Sequence, residues 1–232
     1  MTVAVVVPYR DRGIDPLRSA NVITTGQWWR DFGDELIFVS DDRFGDAQFN
    51  RSAAYNKGCA LTEADVFVFA ESDMLVPLQQ VQEAVELAES APGLVVPFTD
   101  YHYLSERDSR DVRVGYAQPQ DCLPESIRGG GASIGAVNVL SRETLTTVGG
   151  WDEVFEGSWY DDTAMRIAFD VAAGPTRWVS GPGYHLYHLP GWTGSHLTNE
   201  DRAATEANKQ RLHLYEQAET AQRIRELTGG SE

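Results

Sequence analysis

The 232-residue sequence has only two cysteines, Cys59 and Cys122, and no CxxC spacing. That excludes a disulfide framework and a thiolate zinc site. Positive charge is scarce too: 19 Lys and Arg stand against 35 Asp and Glu, a formal net charge of −16. Nucleic acid and anionic membrane reward dense Lys and Arg, so general binding to either is not expected. A local basic pocket for a phosphate is still allowed. No apolar run approaches the roughly 18–20 residues of a membrane helix. The opening MTVAVVVPYRDRG has no basic segment ahead of its short apolar run, so it reads as a first strand, not a signal peptide. A soluble, cytoplasmic protein is expected. Neither GxGxxG nor GxxxxGK[ST] occurs, which weakens Rossmann and P-loop readings. What remains is enough chain for one α/β domain with a substantial core.

The most informative stretch is ADVFVFAESDMLVP, Ala64–Pro77. Val66–Phe69 is apolar on both faces and too short for a helix, the pattern of a central parallel strand. It runs into Glu71-Ser72-Asp73. Open α/β sheets bind ligands beyond the carboxyl ends of their strands, so this acid pair faces a crevice. Two carboxylates there repel unless a cation or a proton intervenes, and such oxygen ligands suit Mg²⁺ or Mn²⁺. A solvated acidic turn is the plainer alternative.

Around it, strands are expected at Val3–Val7, Glu35–Val39, Leu94–Phe98 and Ser133–Leu140. Helices are expected at Asp15–Phe32, from Phe49 to Leu61, at Leu78–Ser90, at Ser141–Val148 and from Asn199 to Leu227. In the first helix Leu17, Ala20, Ile23 (or Thr24) and Trp28 mark the apolar stripe. Pro8, Tyr9, Arg10, Asp11, Arg12 and Gly13 form the first loop at a strand's carboxyl end; arginines two residues apart are suited to forked phosphate contacts. Asp41 and Asp42 end the second strand, where one accepts from a base NH or caps the next turn. Asp100–Arg128 lacks periodicity and reads as a long functional excursion; Gly129–Gly131 reads as a hinge after it. Asp161 and Asp162 open an apolar helix and fit a dipole-favoured start as well as a catalytic role. His185 and His188, at i and i+3 of an extended segment, point to opposite sides, so one at most faces a given metal. The last helix has a capping-box-like start at Thr198 and Asp201. Its thin stripe of Leu212, Tyr215, Ile224 and Leu227 is expected to pack on an edge or in a homodimer.

In this order VVVPYRDR, FVSDD, FNRSAAYNKG, DVFVFAESD, GGWDEVFEGSWYDD and YHLYHLPG resemble the GT-A fold glycosyltransferases. The likeness is to the β-1,4-galactosyltransferase and chondroitin-polymerase-like branch and the broader family 2 enzymes, over roughly residues 3–191. It implies one GT-A domain over residues 1–232: a mostly parallel central sheet flanked by helices, with a nucleotide-binding half at 1–98, an acceptor and metal half at 99–197, and a long C-terminal helix at 198–232. It also implies roles. Pro8, Tyr9, Arg10 and Arg12 cradle the nucleotide and its diphosphate, Asp41 or Asp42 reads the base, and Phe49 and Arg51 touch base and ribose. Glu71-Ser72-Asp73 is the DxD position, Asp73 on Mn²⁺ (or Mg²⁺) and Glu71 towards the ribose. Trp159 and Tyr160 precede the acid pair whose second member, Asp162, matches the catalytic base, with Asp161 the alternative. His188 matches the metal-binding histidine better than His185.

The expected activity is therefore inverting, metal-dependent transfer from a nucleotide-diphospho-sugar, a UDP-sugar for preference, to an acceptor hydroxyl. Two other classes stand beside it. A nucleotidyltransferase normally has a glycine-rich basic loop after strand one, which Val3–Gly13 lacks. A non-catalytic sugar-nucleotide-binding module would keep the pocket without the chemistry.

Overall fold

A computed structural model describes residues 1–131, 134–191 and 194–229. β1 (Val3–Pro8) is buried along its whole length. Asp15 caps α1 (Pro16–Trp29) by accepting from the Leu17 N–H, with Pro16 at the first helical position. After β2 (Glu35–Val39), Asn50 caps α2 (Arg51–Ala60) through the Ala53 N–H. Gly58 of α2 lies against Val6, where an added Cβ would overlap the valine side chain, so this glycine permits the close helix–sheet approach. β3 (Val66–Ala70) and the short β4 (Met74–Leu75) precede α3 (Leu78–Ser90), whose buried face is Val81, Ala84, Val85 and Ala88.

The rest alternates similarly: β5 (Val95–Val96), β6 (Asp100–Tyr103), α4 (Glu106–Arg113), β7 (Ser126–Arg128), β8 (Val137–Ser141), α5 (Arg142–Val148) and α6 (Asp161–Ala172). β9 (Arg177–Trp178), β10 (Pro182–His185), α7 (Asn199–Glu216) and α8 (Ala221–Thr228) complete it. Six strands form one sheet in the order β2-β1-β3-β8-β5-β9, and four form a second in the order β4-β10-β6-β7. β3, β5 and β9 each lead directly into a strand of the second sheet, β4, β6 and β10. Glu71, Ser72 and Asp73 are the link from β3 to β4. The acid pair is thus held at the seam between two sheets.

Several sequence expectations change here. β3 is central, but it is parallel to β1 on one side and antiparallel to β8 on the other. The buried face of α1 is Asn21, Thr25 and Trp29, while Ile23 is 64% exposed. Asn21 donates to the Leu186 and Tyr187 carbonyls and Thr25 to the Ser72 carbonyl, so this helix meets loops through polar contacts that a hydrophobic pattern does not register. The stretch read as an irregular excursion contains β6, α4 and β7; its helix is short and mostly charged, which hid it. The fourth strand shrinks to two residues, and the strand expected from Ser133 starts at Val137, with Ser133 itself outside the described residues.

The single C-terminal helix is two, because Thr220 caps a fresh helix through the Arg223 N–H. Leu212, Tyr215, Ile224 and Leu227 are buried within the chain's own core, so this stripe is not left open for a partner. The Thr198–Asp201 capping box is present, as are the Ser141 cap on α5 and the left-handed Gly149 ending it. No helix among the described residues is long and apolar enough to cross a membrane.

Candidate active site

A cavity of about 800 Å³ opens along the seam of the sheets. Its wall takes Pro8, Tyr9, Arg10 and Arg12 from the loop after β1, Glu71, Ser72 and Asp73 from the β3–β4 link, Tyr101 and Tyr103 from β6, and His185 and His188 from the end of β10. Phe49, Arg51, Trp159, Tyr160 and Asp162 complete the opposite side.

Asp73, His185 and His188 form one cluster, a ligand atom from each lying within 4.8 Å of the others. The chain leaves its extended course after His185 and turns, so the second histidine swings back beside the first. Their Nε2 atoms are 3.1 Å apart, which corrects the expectation that i and i+3 must diverge. His188 Nδ1 lies 2.7 Å from the Leu189 carbonyl oxygen, which only accepts, so Nδ1 carries the proton. In the neutral ring Nε2 is then a bare lone pair facing Asp73 Oδ2 at 3.1 Å. Asp73 Oδ1 is buried and has no hydrogen-bond partner. Lone pairs gathered in this way repel unless a proton or a cation lies among them. Burial works against ionising Asp73; positive charge beside it, a proton held at His188 foremost and Arg18 behind it, draws its carboxyl well below the usual range. Burial keeps His185 neutral by lowering it to about 4, against the pull of Asp73. Two imidazoles and a carboxylate fit a divalent transition ion better than Mg²⁺.

Asp15 fastens this corner: its second carboxylate oxygen accepts from the Leu189 N–H at 2.7 Å, tying the start of α1 to the residue after His188. Such outer contacts orient a ligating ring.

Across the cavity, Arg51 forms ion pairs with three carboxylates, Glu71, Asp161 and Asp162. Asp161 is buried behind the arginine and is not part of the cavity wall. Asp162 lines the wall, its side chain 31% exposed, with its Oδ1 2.7 Å from an Arg51 nitrogen. Burial raises the Asp162 carboxyl to about 6; Arg51 opposes the rise and Asp161 adds to it. The backbone around it is strained: Ala136, Trp159 and Tyr160 all have φ between 72° and 79°. Gly135 lies so near the Asp162 carboxylate that an added Cβ would overlap it.

The arginines of the first loop are more occupied than expected. Arg10 donates to Asp41 at 2.8 Å and to the carbonyls of Gly45 and Ala47 at 2.7 Å, with its guanidinium 5.8 Å over the Phe49 ring. Arg12 donates to the Asp46 carbonyl and pairs with Asp201 of α7 at 3.2 Å. Asp41 and Asp42 do not reach the cavity wall. Asp41 is buried between Arg10 and the Asn50 N–H, while Asp42 turns outward to Lys57. Glu71 points to Arg51. Arg18, 3.6 Å from Asp73, went unmarked in the sequence, and His185 stood there as the alternative to His188, not as its partner. The YHLYH spacing was a signal for His185, but nothing local singles out Arg18.

No protein-family model and no curated protein matches the sequence. Solved structures do match the fold. Glucosyl-3-phosphoglycerate synthase from Mycobacterium tuberculosis, in complex with Mn²⁺ and UDP-glucose, superposes with a TM-score of 0.55 at 16% identity, over 100% of this chain and 80% of the other. The Drosophila β1,4-galactosyltransferase 7, as a variant in complex with manganese, UDP-Gal and xylobiose, gives 0.54 at 12% identity, over 87% and 78%. The catalytic domain of that galactosyltransferase with xylobiose gives 0.51 at 15%, over 86% and 72%. The fold is that of the GT-A glycosyltransferases.

Proposed function

We propose that the protein is a metal-dependent glycosyltransferase that moves a sugar from a nucleoside-diphosphate sugar, UDP-linked for preference, to an acceptor hydroxyl with inversion. The observation that carries this reading is the placement of the Asp73–His185–His188 cluster and Asp162 on one cavity wall system, with the carboxyl of Asp162 raised towards neutrality. Asp73, His185 and His188 hold the ion, Mn²⁺ in preference to Mg²⁺. A divalent ion there would offset negative charge on the departing diphosphate.

The chain's own residues do the rest. Arg18 stands beside Asp73 and lends a cation to the same end of the cavity. Phe49, stacked under Arg10, supplies a flat face for the base. Arg12 reaches the diphosphate by exchanging its contact with Asp201. Asp162 accepts the acceptor's proton as its oxygen attacks. Asp161, buried against Arg51, fixes that guanidinium and thereby the orientation of Asp162. Residues 1–98 supply the nucleotide side and 99–197 the acceptor side and the histidines.

The test is direct. Protein, Mn²⁺ and a panel of UDP-sugars are incubated with mixed hydroxyl acceptors, and released UDP and product anomer are measured. UDP release with an inverted product is expected. A thermal shift with UDP that is the same with and without Mn²⁺, and is unchanged in Asp73→Ala, would remove the metal role. Tight nucleotide binding with no transfer to any acceptor would favour the non-catalytic module.

A further inference from the structure

The four-stranded sheet turns one face to the cavity. Residues opposite each other across a ladder point to the same side. Tyr103 is opposite Ser126 on one neighbour and His185 on the other; Tyr101 is opposite Arg128. All five line the cavity. Tyr101 and Tyr103 sit 4.6 Å apart at 41°, and both approach the His185 ring within 5.5 Å. The face is therefore an aromatic floor running outward from the histidine cluster, with Arg128 at its rim on the edge strand β7.

Arg128 differs from the other arginines of the wall. Arg10, Arg12, Arg18 and Arg51 each face a carboxylate. Among the described residues the Arg128 guanidinium has no ion-pair or hydrogen-bond partner, in a chain of net charge −16. Several wall carboxylates are engaged elsewhere: Asp11 with Gly13 and Ser19, Asp15 with Leu17 and Leu189, Glu71 with Arg51, Asp201 with Arg12. Glu125, on the same wall, makes no ion pair with Arg128. An unpaired fork of donors beside two aromatic rings fits a polyol ring that carries an anion: the rings take its apolar face and the fork takes the charge.

We propose that the acceptor of this enzyme is an anionic polyol or sugar, bearing a carboxylate or a phosphate, bound on the Tyr101–Tyr103 floor with its charge on Arg128. This rests on the glycosyltransferase reading for the word acceptor, but the anion site stands on its own geometry. Arg128 is a specificity-determining residue that does not touch the reacting atoms.

The experiment compares matched probes by calorimetry and ligand-observed NMR: methyl β-D-glucuronide against methyl β-D-glucoside, and glucose 6-phosphate against glucose. Each is titrated into wild type and Arg128→Gln, with and without saturating UDP and Mn²⁺. With UDP and Mn²⁺ bound the donor's phosphate positions are filled, so anion preference reports the acceptor side. At least one anionic probe is expected to bind roughly tenfold or more tighter than its neutral counterpart, the preference vanishing in Arg128→Gln. The glucuronide and phosphate arms distinguish carboxylate from phosphate. Arg128 is exposed, so an unchanged melting temperature in the variant is expected and checks its fold. Overturning results are equal binding of both pairs, no binding by either anion, or a preference that survives in Arg128→Gln. Failure of UDP and Mn²⁺ to bind at all would count against the donor site instead, and the titrations without them would still decide Arg128.

Discussion

Asp162 pays a stability cost for its position. Its carboxyl is raised from 3.8 to about 6 by burial against the weaker help of Arg51. The folded state thus holds this proton more tightly than the unfolded chain, so the carboxyl's ionisation lowers stability as pH rises from 3.8 through 6. Asp162→Asn keeps the shape and an oxygen for Arg51 but cannot ionise. The variant should therefore be at least as stable as wild type at pH 7.5, the difference shrinking towards zero below pH 3.8. Transfer should fall by ~10²–10⁴ while UDP affinity with Mn²⁺ stays near wild type. The acid limb of wild-type kcat/KM, near 6 in the free enzyme, should go with it. Asp161→Asn is the companion: buried behind Arg51, it should loosen the clamp and reduce stability. Were Asp161→Asn alone to abolish transfer, the base would be the first acid. His185→Ala and His188→Ala should each remove most of the Mn²⁺-dependent gain in melting temperature with UDP; a variant that kept the full gain would drop out of the ligand set.

At the scale of elements, the sequence was most legible where apolar runs are continuous and caps are local. β1, β2, β3 and α3 fall within a residue or so of their expected spans because continuous apolar runs and one apolar stripe define them. The candidate site was legible where a strand end carries its acids, as at Asp73, or where an acid pair follows aromatic residues in the first turn of a helix, as at Asp162. It was not legible where tertiary contact decides. Asn21 and Thr25 look like surface residues until Leu186, Tyr187 and Ser72 come to them. Arg10 looks free until the 45–48 loop folds over it. Arg211 and Tyr215, one turn apart on α7, both reach Asp152, which is 1% exposed, at 2.7 and 2.8 Å. Arg211 also donates to the Leu227 carbonyl, joining the two helices. Arg211→Ala should therefore cost about 3 kcal/mol in urea unfolding, since it strands a buried charge. Tyr215→Phe, which removes only a hydroxyl donor, should cost about 1 kcal/mol. Equal costs for the two would mean that Asp152 is not held as an ion.

Taken as a whole, the molecule knits its cavity wall together through contacts distant in sequence. Asp201 caps α7 through Thr198, accepts from Gln48 at 2.8 Å and pairs with Arg12 at 3.2 Å. One carboxylate thus ties the C-terminal helix to the loop after β1 and to the loop before α2, all three lining the cavity. Burial opposes its ionisation, but the Thr198 N–H, Gln48, the Thr198 hydroxyl and Arg12 together hold it down from 3.8 to about 2. A depressed acid contributes stability above its unfolded value, and that contribution is lost as pH falls through the folded one. Asp201→Asn should therefore melt below wild type at pH 7, with the gap narrowing between pH 3.8 and about 2. An unchanging gap over that window would mean the side chain acts as a neutral cap alone. Because Asn still accepts one hydrogen bond while giving up the charge on Arg12, the same variant frees a guanidinium at the end of the cavity proposed to take the diphosphate. UDP should then bind at least as tightly as to wild type, and weaker binding would show that the strap's order matters more than the arginine's release.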